Sequence, residues 1–120
     1  MEFNDEKAIF VQIAEAIEND IVRGIIDEDE RAPSTNELAA RYEINPNTAA
    51  KSLTLLTNDG ILYKKRGVGM FVSPGAREVI LQKRKQRFND EYLLPLLREA
   101  RLLGLDRDEL INMLDELWQK

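Results

Sequence analysis

Residues 45–72 read NPNTAAKSLTLLTNDGILYKKRGVGMFV. This stretch begins with signals for a helix, because Asn45 is a favourable N-cap and Pro46 suits the first helical position. The helix is expected to end at residues 59–60, an Asp-Gly pair. Beyond it, residues 61–73 hold two short apolar runs separated by a Gly-Val-Gly turn. They predict a two-stranded hairpin.

The predicted helix has two chemically different faces. At about 100° per residue, Ala49, Leu53 and Leu56 fall on one side, which is typical of a core-facing stripe. The opposite side carries small polar groups and one cation, with Thr48 at its edge: Asn47, Lys51, Thr54 and Asn58. We expect this polar face to be exposed.

Two further helices are predicted ahead of this stretch. Residues 8–23 place isoleucines at helical spacing with acidic and amide residues between them. Ser34 and Glu37 have the spacing of a capping box, which predicts a second, short helix. Residues 25–33 between these helices form an acidic connection. Three helices followed by a two-stranded hairpin are the order of a winged helix–turn–helix, a mainly α fold with a small β-hairpin.

The C-terminal part of the chain is predicted to be helical. An apolar helical pattern runs over residues 76–103, although Pro95 lies inside it and should kink or interrupt the helix. Gly104 ends this pattern. Asp106 and Glu109 then form a second capping-box spacing ahead of the last helix.

We therefore divide the chain into a winged helix–turn–helix domain over residues 1–75 and a helical dimerisation tail over residues 76–120. Two helices are too few to cover two apolar stripes, which favours contact with a second copy of the chain related by a two-fold axis. A purely intramolecular role for the stripe stays open. The residues expected at the subunit interface are Phe88, Tyr92, Leu96, Leu103, Leu114 and Trp118.

Composition limits the chemistry available to the chain. Its 120 residues include no Cys and no His, which excludes disulfides, thiolate metal ligands and the commonest general base. We expect neither enzymatic activity nor a bound cofactor or metal. The formal net charge is −5, yet residues 61–87 hold eight basic side chains and one acidic one. This cluster could bind a polyanion, but charge alone favours a solvated helix face and a charged hairpin.

The sequence also carries no sign of a membrane protein. No apolar run approaches the ~20 residues of a membrane span. The first residues are acidic, unlike a targeting signal. We expect a cytoplasmic protein with no membrane partner.

Several segments resemble the GntR family of bacterial transcriptional regulators. They lie in register over residues 8–73: residues 12–14 (QIA), Gly24, 32–39 (APSTNELA), 45–49 (NPNTA), 59–62 (DGIL) and 66–72 (RGVGMFV). The short C-terminal tail resembles that of the YtrA subfamily, whose members carry about two helices for dimerisation. The resemblance implies a homodimeric DNA-binding repressor, often encoded beside ABC-transporter genes.

The chain also departs from the family pattern. The family usually has Arg where this chain has Asn36, and many members have Arg at the positions of Pro46 and Ala50. A turn glycine is common where Asp29 stands, and Leu is common at Ala32. Fewer arginines mean fewer bidentate contacts to phosphate or guanine. An alternative therefore stays open: a protein-interaction module that retains the winged-helix fold with weak or no DNA binding.

The expected function is sequence-specific binding of double-stranded DNA. In a winged helix–turn–helix the third helix enters the major groove and the hairpin reaches the flanking backbone. Asn, Thr and Lys can bond base edges and phosphates, and hairpin cations neutralise phosphates. The residues expected to contact DNA are Ser34, Asn36, Asn45, Asn47, Thr48, Lys51, Lys64, Lys65, Arg66 and Gly67. The sequence shows no recognisable site for a small-molecule effector.

Overall fold

A computed structural model describes residues 2–120 of the chain. Three helices precede a hairpin, and further helices follow it. The helices are α1 (Ile9–Val22), α2 (Thr35–Tyr42), α3 (Pro46–Asn58), α4 (Ala76–Phe88), α5 (Leu94–Leu102) and α6 (Arg107–Trp118), and the strands are β1 (Leu62–Lys65) and β2 (Gly69–Val72). This order confirms the predicted winged helix–turn–helix fold with a helical C-terminal part.

Helices α2 and α3 begin where side chains cap them. The Ser34 hydroxyl accepts a hydrogen bond from the Glu37 N–H at 3.1 Å, and Glu37 Oε1 accepts one from the Ser34 N–H at 3.2 Å. This reciprocal pair is the predicted capping box. Asn45 Oδ1 accepts a hydrogen bond from the Asn47 N–H at 2.8 Å, and Pro46 occupies the first turn. Local sequence alone therefore fixes the start of both helices.

One aliphatic core joins the first three helices and the hairpin. Ile13 of α1, Leu38 of α2, Leu56 of α3 and Val72 of β2 are all fully buried in it. Burial of one such side chain stabilises the fold by about 1.5–3 kcal/mol. Because this core takes one face of α3, the opposite face of the helix points outward.

Residues 29–32 run alongside β2 and form an isolated β-bridge with it between Arg31 and Phe71. The Asp29 N–H donates to the Val72 carbonyl at 2.7 Å, and the Ala32 N–H donates to the Met70 carbonyl at 2.8 Å. Asp29 has φ 63°, the left-handed conformation that Asp tolerates better than most residues. The acidic connection of the sequence is thus an ordered edge of the hairpin.

The helical pattern after residue 76 is interrupted as expected near Pro95. Helix α4 ends at Phe88, a π-helical segment spans Asn89–Leu93, and Pro95 lies in the first turn of α5. Proline lacks an N–H and clashes with the carbonyl four residues earlier, and a wider helical turn relieves both problems. Across residues 2–120, no helix combines the length and the apolar character needed to cross a bilayer.

The chain divides into two compact units, an N-terminal unit that ends at Gln82 and a C-terminal unit of Lys83–Lys120. The division falls within α4, whereas the sequence-based border lies after residue 75. The first turns of α4 belong to the N-terminal unit because Ala76 and Ile80 are fully buried in its core. Assignment of DNA binding to one part and dimerisation to the other remains a proposal.

Candidate nucleic-acid interface

The polar face of α3 is open to solvent. Asn47, Lys51 and Thr54 are exposed, and Thr48 is half-buried at the edge of the face. On the opposite side of the helix, Leu56 is fully buried. The residues proposed to read DNA therefore lie on an accessible helix surface, and the major groove is wide enough to admit an α-helix.

The starts of α2 and α3 offer a second kind of DNA contact. The oxygens of Ser34 and Asn45 are engaged in capping, so these side chains hold their own helices first. The remaining N–H groups of a helix N-terminus carry a partial positive charge that favours phosphate. Asn36, in the first turn of α2, is exposed beside them.

Glu37 places one negative charge at the same end of α2. Hydrogen bonds from the backbone N–H of Ser34, and then from its hydroxyl group, lower the pKa of this carboxyl below its usual value. The coulombic attraction of Arg31 and Arg41 acts in the same direction. Glu37 is therefore ionised at neutral pH, and a phosphate near α2 needs cations to offset it.

The two lysines of β1 lie on opposite faces of the hairpin. Lys64 pairs with Met70 and Lys65 with Gly69 in the antiparallel register, and side chains alternate along a strand. The Lys65 ammonium lies 4.3 Å from the centroid of the Phe71 ring, a cation–π contact on the outer face. Lys64 lies on the other face, towards α3.

The tip of the hairpin is fully accessible. Arg66, Gly67 and Val68 are all exposed. Gly67 has φ 76°, which side chains rarely adopt, and the Val68 N–H closes the turn on the Lys65 carbonyl at 2.9 Å. The sequence-predicted tip residues Arg66 and Gly67 are thus presented together at the end of the hairpin.

A side-chain hydrogen bond links the outer face of the hairpin to residues 29–32. The Tyr63 hydroxyl donates to Asp29 Oδ1 at 2.7 Å, and the rings of Tyr63 and Phe71 stack at 6.0 Å. The hydrogen bond to Asp29, and to a lesser degree burial, raises the pKa of Tyr63 above its usual value. This contact fixes the base of the hairpin against the rest of the unit.

A cleft of about 380 Å³ brings several of the candidate residues together. Ser34 and Asn36 line it from α2, Thr54 from α3 and Lys64 from β1. Lys65 is outside the set that lines the cleft. Arg31 also lines the cleft, and the sequence-based list of contacts missed it. Its one signal was that it is the single cation between residues 24 and 40.

The residues predicted at a subunit interface all belong to the C-terminal unit. Most of them expose a large fraction of their side chains: Phe88 53%, Tyr92 62%, Leu103 65%, Leu114 44% and Trp118 90%. Leu96 is half-buried. Apolar exposure on this scale in a small unit is typical of an interaction surface.

Comparison with protein families gives a match over most of the N-terminal unit. The model described as "Bacterial regulatory proteins, gntR family" matches residues 10–72, which contain α1, α2, α3 and the hairpin. The HTH-type transcriptional repressor YtrA of Bacillus subtilis is 28% identical to the chain, over 91% of this chain and 83% of that protein. The similarity to YtrA therefore extends beyond the matched domain.

Solved structures give the same result. A putative transcriptional regulator of the GntR family from Bacteroides thetaiotaomicron is 37% identical, with a TM-score of 0.81 over 93% of this chain and 97% of that chain. The DNA-binding domain of AraR in complex with operator ORX1 is 28% identical, with a TM-score of 0.54 over 60% of this chain and 93% of that chain. The first of these covers both units of the chain, whereas the second covers a part of it.

Proposed function

Because the chain belongs to the GntR family of bacterial regulatory proteins, we propose that it acts as a homodimeric repressor that reads a palindromic operator in double-stranded DNA. The protein is a DNA-binding transcriptional regulator and not an enzyme. The observation that carries the proposal is the open polar face of α3 beside a basic hairpin. Its cellular site of action is the cytoplasm, where bacterial chromosomal DNA lies.

In this proposal α3 reads bases from the major groove. The amide of Asn47 is suited to adenine and the ammonium of Lys51 to guanine O6 and N7, because these groups match the edges that each base presents. Thr48 adds a hydroxyl and a methyl group at the edge of the face. Arg66 and the backbone at Gly67 follow the flanking phosphates, which position the protein without reading sequence.

The homodimer is supported by the exposed apolar residues of the C-terminal unit. Two copies of α3 about 34 Å apart would enter successive major grooves, and a two-fold axis matches a palindromic site. The repressor role is supported by the similarity to YtrA, and the DNA partner by the similarity to AraR bound to an operator.

The test begins with selection of bound duplexes from a random pool, with the enriched sequence checked for two-fold symmetry. Competition binding then compares the selected duplex with a scrambled one for the wild type and for the double variant Thr48→Ala with Lys51→Ala. We expect the ratio of the two affinities to fall at least about tenfold, since each good base contact is worth roughly 1–3 kcal/mol.

The control is Lys7→Ala, which removes the same charge from an exposed side chain that pairs with Glu15 at 2.8 Å. Lys7→Ala should keep the affinity ratio of the wild type. The double variant and Lys7→Ala should both keep the mass of a dimer in light scattering. An unchanged ratio in the double variant contradicts α3 as the reader. If the wild type binds no duplex even at low salt, the interaction-module alternative is favoured.

A further inference from the structure

We propose that Arg31 binds a DNA phosphate, together with Lys64, in the cleft between α2, α3 and the hairpin; the proposal rests on the DNA-binding function above. Both cations line this cleft, and they come from segments 33 residues apart in the chain. A guanidinium group binds phosphate oxygens through two parallel hydrogen bonds, and an ammonium group adds a compact positive charge.

The backbone of Arg31 is held in place before any ligand binds. Arg31 bridges Phe71 across the edge of β2, and the next N–H, that of Ala32, donates to the Met70 carbonyl at 2.8 Å. The side chain therefore leaves a backbone that is hydrogen-bonded to β2. Pre-positioning of this kind reduces the entropy that binding must offset.

Gly69 makes room for the side chain of Arg31. A Cβ atom built on Gly69 would lie 2.9 Å from Arg31 Nε and 3.7 Å from Cζ, so any other residue here would require the Arg31 side chain to shift. The guanidinium thus lies directly on the backbone of β2 where the hairpin turns. Gly69, Arg31 and Lys64 all line the same cleft.

The charge balance of the N-terminal part of the chain favours a phosphate-binding role for Arg31 and Lys64. Residues 1–60 carry 13 acidic and five basic side chains, so a DNA-facing surface in this part of the chain needs its few cations in the right place. Glu37 acts on the same region, because the charge of Arg31 contributes to lowering the pKa of its carboxyl. Arg31 also lines a neighbouring cleft that contains Asp20, Glu30 and Glu37, whereas no acidic residue among residues 2–120 lines the cleft that it shares with Lys64. A phosphate in the shared cleft would therefore meet two cations.

The experiment measures duplex affinity at salt concentrations between about 50 and 300 mM for the wild type and Arg31→Gln, on the selected operator and on a scrambled duplex. We expect the variant to lose affinity for both duplexes by the same factor, about eightfold per lost contact at 0.1 M salt. The log–log slope against salt should become shallower by about 0.9 per subunit.

The matched control is Arg23→Gln, which removes the same group from an exposed position on a different cleft at the end of α1. Its salt slope should equal that of the wild type. Arg31→Lys keeps the charge, so it should restore the slope while recovering only part of the affinity. Thermal unfolding of each variant separates binding from stability, and a merely structural role for Arg31 leaves the salt slope unchanged.

Each remaining outcome overturns a defined claim. If the wild type binds DNA and Arg31→Gln keeps its slope, the phosphate contact is wrong and the proposed function stands. If Arg31→Gln loses discrimination between the operator and the scrambled duplex, Arg31 reads bases rather than phosphate. If the wild type binds no duplex, the proposed function fails, and the phosphate contact fails with it.

Discussion

The two units of this chain treat their apolar side chains in opposite ways. The N-terminal unit buries Ile13, Leu56 and Val72 completely, whereas α6 in the C-terminal unit has no buried residue and Trp118 is 90% exposed. Exposed apolar surface is unfavourable in water by roughly 25 cal/mol for every Å² that could be buried. The first unit thus encloses a core of its own, whereas the second leaves apolar surface exposed, which is the surface of the proposed subunit contact.

The largest expected effect concerns the buried side of this comparison. Leu56→Ala should lower the free energy of unfolding by about 2–5 kcal/mol, because it leaves a cavity among fully buried neighbours. Val68→Ala, at an exposed position on the hairpin tip, should change it by no more than about 0.5 kcal/mol. Urea unfolding followed by circular dichroism measures both, and equal losses would contradict a core centred on α3.

The next largest effect concerns the exposed apolar residues of the C-terminal unit. Leu103→Asp should weaken the dimer by about 100-fold or more, because an interface would have to bury two unpaired carboxylates. Ile25→Asp is the control, since it adds the same charge at an exposed position of the N-terminal unit. Light scattering over a dilution series gives the dissociation constants. A dimer that tolerates Leu103→Asp as well as Ile25→Asp places the subunit interface elsewhere.

Much of the fold follows from local sequence because local interactions set it. The capping box of Ser34 and Glu37, and the Asn45-Pro46 start of α3, form within a few residues and are visible as spacing. The interruption near Pro95 follows from the missing N–H of proline. The polar face of α3 was predictable because its periodicity leaves only one side for the core.

The features that the sequence did not reveal depend on contacts between distant segments. The pairing of residues 29–32 with β2 has no local signature, because its hydrogen bonds reach some 40 residues along the chain. The alternation of side chains along β1 predicts that Lys64 and Lys65 lie on opposite faces of the hairpin. Only the packing of the hairpin against the helices determines that Lys64 is the one on the α3 side. Arg31 is recognised as a candidate phosphate ligand only from its position beside Gly69, which is distant in sequence.

The smallest expected effect concerns the start of α2, where Glu37 completes the capping box. The lowered pKa of Glu37 means that its ionised form stabilises the fold above the pKa of the unfolded chain, and that this contribution is lost as pH falls through the lower pKa of the folded state. Glu37→Gln keeps an acceptor for the Ser34 N–H and removes the titration. Its stability should therefore fall less steeply than that of the wild type in the acidic range.

Parallel urea titrations across that range for the wild type, Glu37→Gln and Glu43→Gln provide the comparison. Glu43 is exposed just after α2 and serves as a control for the loss of one carboxyl group. If Glu37→Gln follows the wild type at every pH, the carboxylate at the start of α2 adds nothing to stability.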